Sequence, residues 1–198
     1  MTKSLPRITL TRHGETAWTI TGQHTGRADI PLTERGERDA ARLGGRLKGA
    51  TWPHVFVSPL QRARKTCDLA GYGSVAVVDA DLVEWDYGAY EGRKRVEILK
   101  ERPDWHLFRD GCPGGESPAD VAARADRVIA KVRELEGDVL LFSSGHFLRV
   151  MTARWCGQEA DFAAHLWLGT TAVCVLGYEH DLTTPALMLW NDNRHTGD

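Results

Sequence analysis

The stretch Leu10-Thr11-Arg12-His13-Gly14-Glu15-Thr16-Ala17 decides how this chain is read. It continues a short apolar run, Arg7-Ile8-Thr9-Leu10, that predicts a β-strand. A strand ending in Arg-His-Gly sets an imidazole at the carboxyl end of a sheet strand, where open α/β sheets bind their ligands. The glycine after the histidine allows a sharp turn and close approach to a bound group. An arginine beside a candidate nucleophile suits a dianionic phosphate.

Outward from that stretch, strand and helix patterns alternate, which predicts a layered α/β fold with a mostly parallel sheet. Residues 14–32 read as a polar loop. A helix follows over about 33–48, with Ala40, Leu43 and Leu47 on one face and Gly49 placed to end it. His54-Val55-Phe56-Val57 reads as a buried strand. Ser58-Pro59 then predicts a helix N-cap with proline at the first helical position. That helix carries Gln61-Arg62-Ala63-Arg64-Lys65-Thr66 and stops near Gly71, before a strand at 75–78. Residues 80–116, rich in aromatics and glycine, read as loops over a site rather than core layers. Ser117-Pro118 opens the clearest helix, with Val121, Ala125, Val128, Val132 and Leu135 at helical spacing and Gly137 as its stop. Val139-Leu140-Leu141-Phe142 has the unbroken apolar run of a strand buried on both faces. Ser143-Ser144-Gly145-His146 turns into a helix over 147–155, and two strands at 172–176 and 186–190 close the chain as an edge hairpin.

The 198 residues suit one domain spanning 1–198. Apolar residues are 42% and charged residues 26%, ordinary for a globular protein. A formal charge of −2 argues against wholesale binding to nucleic acid or an anionic membrane. The cysteines Cys67, Cys112, Cys156 and Cys174 form no CxxC pair, which predicts free thiols in a reducing cytoplasm. The first strand begins too early for a signal peptide, and no apolar run is long enough for a bilayer. The expected location is cytoplasmic.

In a parallel sheet, His13, Arg62 and His146 all follow strand ends and share one rim. Helix N-termini there favour anions. A neutral imidazole is a competent nucleophile near neutral pH, and the charge of Arg12 would keep His13 neutral. Arg12 and Arg62 can grip phosphoryl oxygens in bidentate fashion, and His146 can donate a further bond. Glu84, in Leu82-Val83-Glu84-Trp85-Asp86-Tyr87-Gly88, is the candidate proton donor to the leaving oxygen, with Asp86 as its competitor. The same carboxylate could then activate water. Phosphoryl transfer needs mainly positioning and charge stabilisation, which this set supplies without a metal or other cofactor. His54, His106, His165 and His195 carry no such pattern, and Trp85, Trp105, Trp155, Trp167 and Trp190 read first as packing residues.

With these residues in hand, the chain resembles the histidine phosphatase superfamily, whose fold is phosphoglycerate mutase-like. The likeness rests on residues 10–16, 58–66, 84–92, Gly115-Glu116-Ser117 and residues 145–149, in that order. It implies a three-layer α/β sandwich with a mostly parallel central sheet and an antiparallel edge. It also implies phosphorylation of His13, proton donation by Glu84, and a phosphate pocket of Arg12, Arg62 and His146. Within the superfamily, Thr21-Gly22-Gln23-His24-Thr25-Gly26, residues 84–92, Phe108-Arg109-Asp110-Gly111-Cys112 and the tail Gly177-Tyr178-Glu179-His180 look like fungal sedoheptulose-1,7-bisphosphatases. That likeness implies substrate contacts at His24, Thr25, Tyr87, Arg149 and His180. Arg149 lies three residues past His146, on the same helix face, and could hold a second anionic group.

The reading is therefore a metal-independent phosphomonoesterase acting on a small phosphorylated metabolite, with sugar bisphosphates such as sedoheptulose-1,7-bisphosphate or fructose-1,6-bisphosphate foremost. A broad-specificity phosphatase or a phosphoglycerate mutase is the alternative enzyme. The stretch between Glu84 and Gly115 is short beside the lid of cofactor-dependent mutases, which favours hydrolysis. A phosphate-binding interaction module is the non-enzyme alternative. The sequence leaves oligomeric state open, with a homodimer through the edge strand as one form.

Overall fold

The structure is a computed structural model, and residues 5–197 are described. Among these residues, six strands form one sheet: β1 (Ile8–Arg12), β2 (His54–Val57), β3 (Val77–Val78), β4 (Val139–Ser143), β5 (Val173–Tyr178) and β6 (Pro185–Asp192). Their spatial order is β3-β2-β4-β1-β5-β6. The pairings among the first four are parallel, and β5 and β6 add an antiparallel edge. Among the described residues, seven α-helices accompany them: α1 (Ala17–Thr21), α2 (Glu34–Leu47), α3 (Gln61–Leu69), α4 (Arg95–Glu101), α5 (Leu107–Asp110), α6 (Pro118–Arg133) and α7 (Gly145–Trp155). Among the described residues, no helix is long and apolar enough to cross a membrane.

Strand β4 shows why the sheet lies between two layers. Its side chains alternate between faces. Leu140 and Phe142 join Leu43 and Leu47 of α2 and Ala63 and Cys67 of α3. Val139 and Leu141 join Val121, Ala125 and Val128 of α6 and the apolar residues of α7. Each fully buried leucine of this strand contributes about 1.5–3 kcal/mol relative to exposure. Helix α6 starts where sequence chemistry puts it. Ser117 caps it by accepting from the Asp120 amide, the Asp120 carboxylate accepts in return from the Ser117 amide, and proline stands at the first turn.

Three local expectations need correction. The loop at 14–32 contains the short helix α1, capped by Thr16 and Thr19. Ser58-Pro59 does not cap α3: Ser58 continues the β2–β4 ladder by donating to the Phe142 carbonyl at 2.9 Å. The helix starts at Gln61, whose amide donates instead to the Asp29 carboxylate at 2.8 Å. Residues 80–116 are not merely loops over a site. They contain α4 and α5, and Leu82, Trp85, Tyr90, Ile98, Trp105, Leu107 and Phe108 enter the larger core. Helices of seven and four residues are too short to show a repeating apolar stripe, so periodicity does not reveal them.

The register carries this architecture to the site. Arg12 of β1 pairs with Ser143 of β4, and Val57 of β2 pairs with Phe142. The carboxyl ends of three neighbouring strands therefore align, and the chain leaves them at His13, Ser58 and Ser144.

Candidate active site

His13 is buried, at 3% exposure, with its backbone tied on both sides. Its amide donates to the Ser143 carbonyl at 2.9 Å, and its carbonyl accepts from Thr171 at 3.2 Å. Ring Nδ1 lies 2.8 Å from the Gly14 carbonyl. A carbonyl can only accept, so Nδ1 carries the proton and Nε2 is left with its lone pair. Burial, then Arg62, then Arg12, hold the imidazole well below its ordinary pKa. Arg12 thus works in the expected direction but is the smallest of these three causes. Thr66 fixes the turn: its hydroxyl donates to the Arg62 carbonyl at 2.7 Å and accepts from the Gly14 amide at 3.0 Å.

The two arginines divide the work differently from expectation. Arg62 is fully buried. Its Nη1 donates to Ala28, its Nη2 to the carbonyls of Thr25 and Gly26, and its Nε to His13 Nε2 at 3.3 Å. Four of its five N–H groups are spent. Arg62 is therefore a clamp on the 25–28 loop that also touches His13, and it has no bidentate fork to offer. Arg12 has more to give. Its Nη1 donates to the Leu168 carbonyl at 2.5 Å, while its buried Nε has no partner. Its guanidinium lies against Gly145, where an added Cβ would come within 3.0 Å of Nε and 3.1 Å of Cζ. The glycine opening α7 is thus a space requirement set by Arg12.

Glu84 follows β3 and a 3₁₀ turn at Ala80–Leu82, and Ser143 Oγ anchors that turn by donating to Leu82 at 2.6 Å. Both carboxylate oxygens are engaged. Oε1 accepts from the amides of Trp85 (2.9 Å) and Phe147 (2.8 Å), and Oε2 from the His146 amide (3.0 Å). The first-turn amides of α7, which the sequence suggested for a phosphate, are occupied by this side chain. Arg124 braces the segment from behind, donating to the carbonyls of Asp81, Val83 and Glu84 and pairing with Glu116 at 2.8 Å.

His146 Nδ1 meets the Tyr87 hydroxyl at 2.5 Å. Burial first, with Arg149 next, holds the His146 pKa well below its ordinary value, and burial pushes the Tyr87 phenol well above its own. Both are neutral, and a phenol donating to Nδ1 leaves Nε2–H as the ring's free donor. His24 packs edge-on against Tyr87 and Trp105, with ring centroids 4.9 and 5.6 Å apart, and its Nδ1 bonds the Arg93 carbonyl at 2.7 Å. Arg149 lies over Phe108 at 4.5 Å and donates to the carbonyls of Ala163 and Ala164. Burial lowers its pKa to about 10, so it stays charged at neutral pH.

Arg12, His13, His24, Thr25, Glu84, Tyr87, His146 and Arg149 line one cavity of about 300 Å³. Arg62 sits behind His13. His180 is not brought there. Strand β5 runs antiparallel to β1, so the β5–β6 turn holding His180 lies at the far end of the sheet, with its side chain 74% exposed. A tail motif placed by likeness carries no strand direction, which is why this expectation fails. Arg95 and Trp18 also line the cavity and are missed by sequence reasoning; Arg95 stands in a basic run, Arg93-Lys94-Arg95, with no motif to single it out. Among the described residues, no group of three or more His, Cys, Asp or Glu side chains is arranged to hold a metal ion. Burial pushes the thiols of Cys67, Cys112 and Cys174 up to about 12.

Comparison with known proteins gives a consistent result. A family model described as the histidine phosphatase superfamily (branch 1) matches residues 8–193. An acid phosphatase of Mycobacterium tuberculosis is 40% identical over 92% of this chain and 91% of its own length. A sedoheptulose 1,7-bisphosphatase of Saccharomyces cerevisiae is 38% identical, over 77% of this chain and 68% of its own. The solved structure of a Mycobacterium tuberculosis open reading frame superposes with a TM-score of 0.89 at 37% identity, covering 95% of this chain and 98% of that one.

Proposed function

This chain belongs to the histidine phosphatase superfamily and is a phosphatase, and from that premise we propose that it hydrolyses phosphomonoesters through a phosphoryl group carried on His13. The observation that carries this reading is the state of His13. It is buried and neutral, its Nδ1–H is held by Gly14, and its Nε2 lone pair stands beside a cavity that Arg12 lines.

The proposed sequence has two displacements. Arg12 and the Nε2–H of His146 hold the phosphoryl oxygens. The weak Arg62 contact to Nε2 gives way, and Nε2 attacks phosphorus in line with the leaving oxygen. The P–O bond breaks, and the departing alkoxide takes a proton from Glu84. Water then attacks the phosphoryl group and loses its proton to Glu84. The N–P bond breaks, inorganic phosphate leaves, and neutral His13 is restored. No step requires a metal ion.

Sugar bisphosphates, sedoheptulose-1,7-bisphosphate and fructose-1,6-bisphosphate foremost, are the proposed substrates; the likeness to the yeast bisphosphatase and the arginine-rich cavity support them. A broader acid phosphatase is the second reading, favoured by the fuller coverage of the mycobacterial relative. The test is phosphate release, with EDTA present, from sedoheptulose-1,7-bisphosphate, fructose-1,6-bisphosphate, 3-phosphoglycerate and p-nitrophenyl phosphate. A bisphosphate preference lost in His13→Ala supports the first reading, and similar rates on all substrates support the second. Isomerised product that retains its phosphate would point to a mutase instead.

A further inference from the structure

With His180 at the far end of the sheet, one member of the expected substrate-binding set is missing, and a different residue stands in the cavity wall. Arg95 is the first residue of α4, and its position is fixed by backbone pairing. The strip before it is bound to the 23–24 segment: His24 donates its amide to the Arg93 carbonyl at 2.9 Å, Gly92 donates to His24 at 2.8 Å, and Gln23 Nε2 donates to Gly92 at 2.8 Å. The neighbouring Arg93 is engaged elsewhere. Arg93 pairs with Glu101 at 2.5 Å and stacks on Tyr90. Arg95 makes no hydrogen bond and no ion pair with any described residue, yet it lines the cavity with His13. Its charge is close enough to His24 to act on that imidazole.

The charges around the cavity explain what such a residue is for. The lining contains Arg12, Arg95 and Arg149, and Arg62 stands behind His13. Among the described residues, Glu84 is the only carboxylate in the lining, and backbone amides occupy both its oxygens. Even with Glu84 counted as charged, it and a phosphoryl dianion together offset at most three of the four guanidinium charges. At least one remains over. Unpaired positive charges gathered in a concave site attract a further anion. Arg149 cannot extend to meet it, since Ala163, Ala164 and Phe108 hold it. Arg95 is exposed on a flexible stem and can.

We propose that Arg95 is a specificity-determining residue that binds a second anionic group on the substrate while the reacting phosphoryl group sits at His13. The inference rests on the phosphatase reading and narrows its substrate class to small phosphomonoesters bearing a second phosphate or a carboxylate. A second phosphate and a carboxylate offer the same charged oxygens to a guanidinium, and the assay separates them.

The test compares Arg95→Gln and Arg95→Glu with the wild-type chain. The kcat/KM for fructose-1,6-bisphosphate and for 3-phosphoglycerate is divided by that for p-nitrophenyl phosphate, which has no second anion. Loss of charge should lower this ratio about 10-fold, and reversal about 100-fold, chiefly through KM; each factor of ten corresponds to about 1.4 kcal/mol. A fall for fructose-1,6-bisphosphate alone assigns a phosphate, and one for 3-phosphoglycerate alone a carboxylate. Ratios within twofold of wild type in both variants overturn the proposal. Binding of fructose-1,6-bisphosphate against inorganic phosphate, measured by calorimetry in His13→Ala with and without Arg95→Gln, asks the same question without turnover. Failure of the phosphohistidine reading would appear as activity surviving His13→Ala, while the Arg95 effect on this binding would still be read.

Discussion

Replacing Gly145 by alanine should separate activity from stability. The position opens α7, has no positive φ, and contacts the Arg12 guanidinium face. An added methyl would lie 3.0 Å from Nε and 3.1 Å from Cζ, so the guanidinium must retreat by about half an ångström to reach ordinary contact. It cannot slide freely, because Nη1 is bonded to the Leu168 carbonyl at 2.5 Å. A misplacement of about 1 Å in a positioning group can cost about 100-fold, so half that displacement predicts about a 10-fold loss of kcat/KM. The inhibition constant for inorganic phosphate should rise by a similar factor, because the same guanidinium holds the product. Helix propensity acts oppositely: alanine is favoured over glycine by up to about 1 kcal/mol within a helix, less at its first residue. The folded state should therefore be unchanged or slightly more stable. Steady-state kinetics on p-nitrophenyl phosphate, phosphate inhibition and urea unfolding measure all three. A variant with wild-type kinetics and phosphate affinity would refute the assignment of Arg12 as the principal phosphate grip.

Further expectations follow from other parts of the molecule. Arg124→Met leaves Glu116 and three backbone carbonyls without their buried donor and should cost about 3–5 kcal/mol in chemical unfolding; a loss below 1 kcal/mol would show that the brace behind Glu84 is dispensable. His13 and His146 have folded-state pKa values well below 6.5, so the unfolded chain binds more protons as pH drops through that value. Their contribution is fully present above pH 6.5 and is lost below it, so the urea midpoint should fall between pH 7.5 and pH 5; a flat or rising midpoint would contradict their burial in neutral form. His180→Ala should leave kcat/KM within twofold on every substrate, and a selective loss on bisphosphates would show that the far turn reaches the cavity.

Much of the fold could be read from the sequence because its strongest patterns are local and independent. The apolar run of β4, the reciprocal cap at Ser117 and Asp120, and the histidine after β1 each needed only their neighbours to be recognised. The shared rim followed, since parallel strands align their carboxyl ends. What stayed hidden depends on contacts across the chain. Ser58-Pro59 has the form of a cap, but β4 takes the Ser58 amide and Asp29 takes the helix start. Arg62 has the residue type of a phosphate fork, and only the folded 25–28 loop reveals that its donors are used. The amides of α7 would suit any anion, and a carboxylate from residue 84 reached them first. Arg95 carries no motif, and what marks it is the lack of a partner.

The most direct test of the central claim is to trap the phosphoenzyme. Rapid acid-free quenching during turnover of a 32P-labelled phosphomonoester, followed by peptide mapping, should find a base-stable, acid-labile phosphoryl group on His13. It should form and decay at rates compatible with turnover and be missing from a folded His13→Ala variant. Turnover with no labelled protein at any time, or label that persists in His13→Ala, would contradict the account.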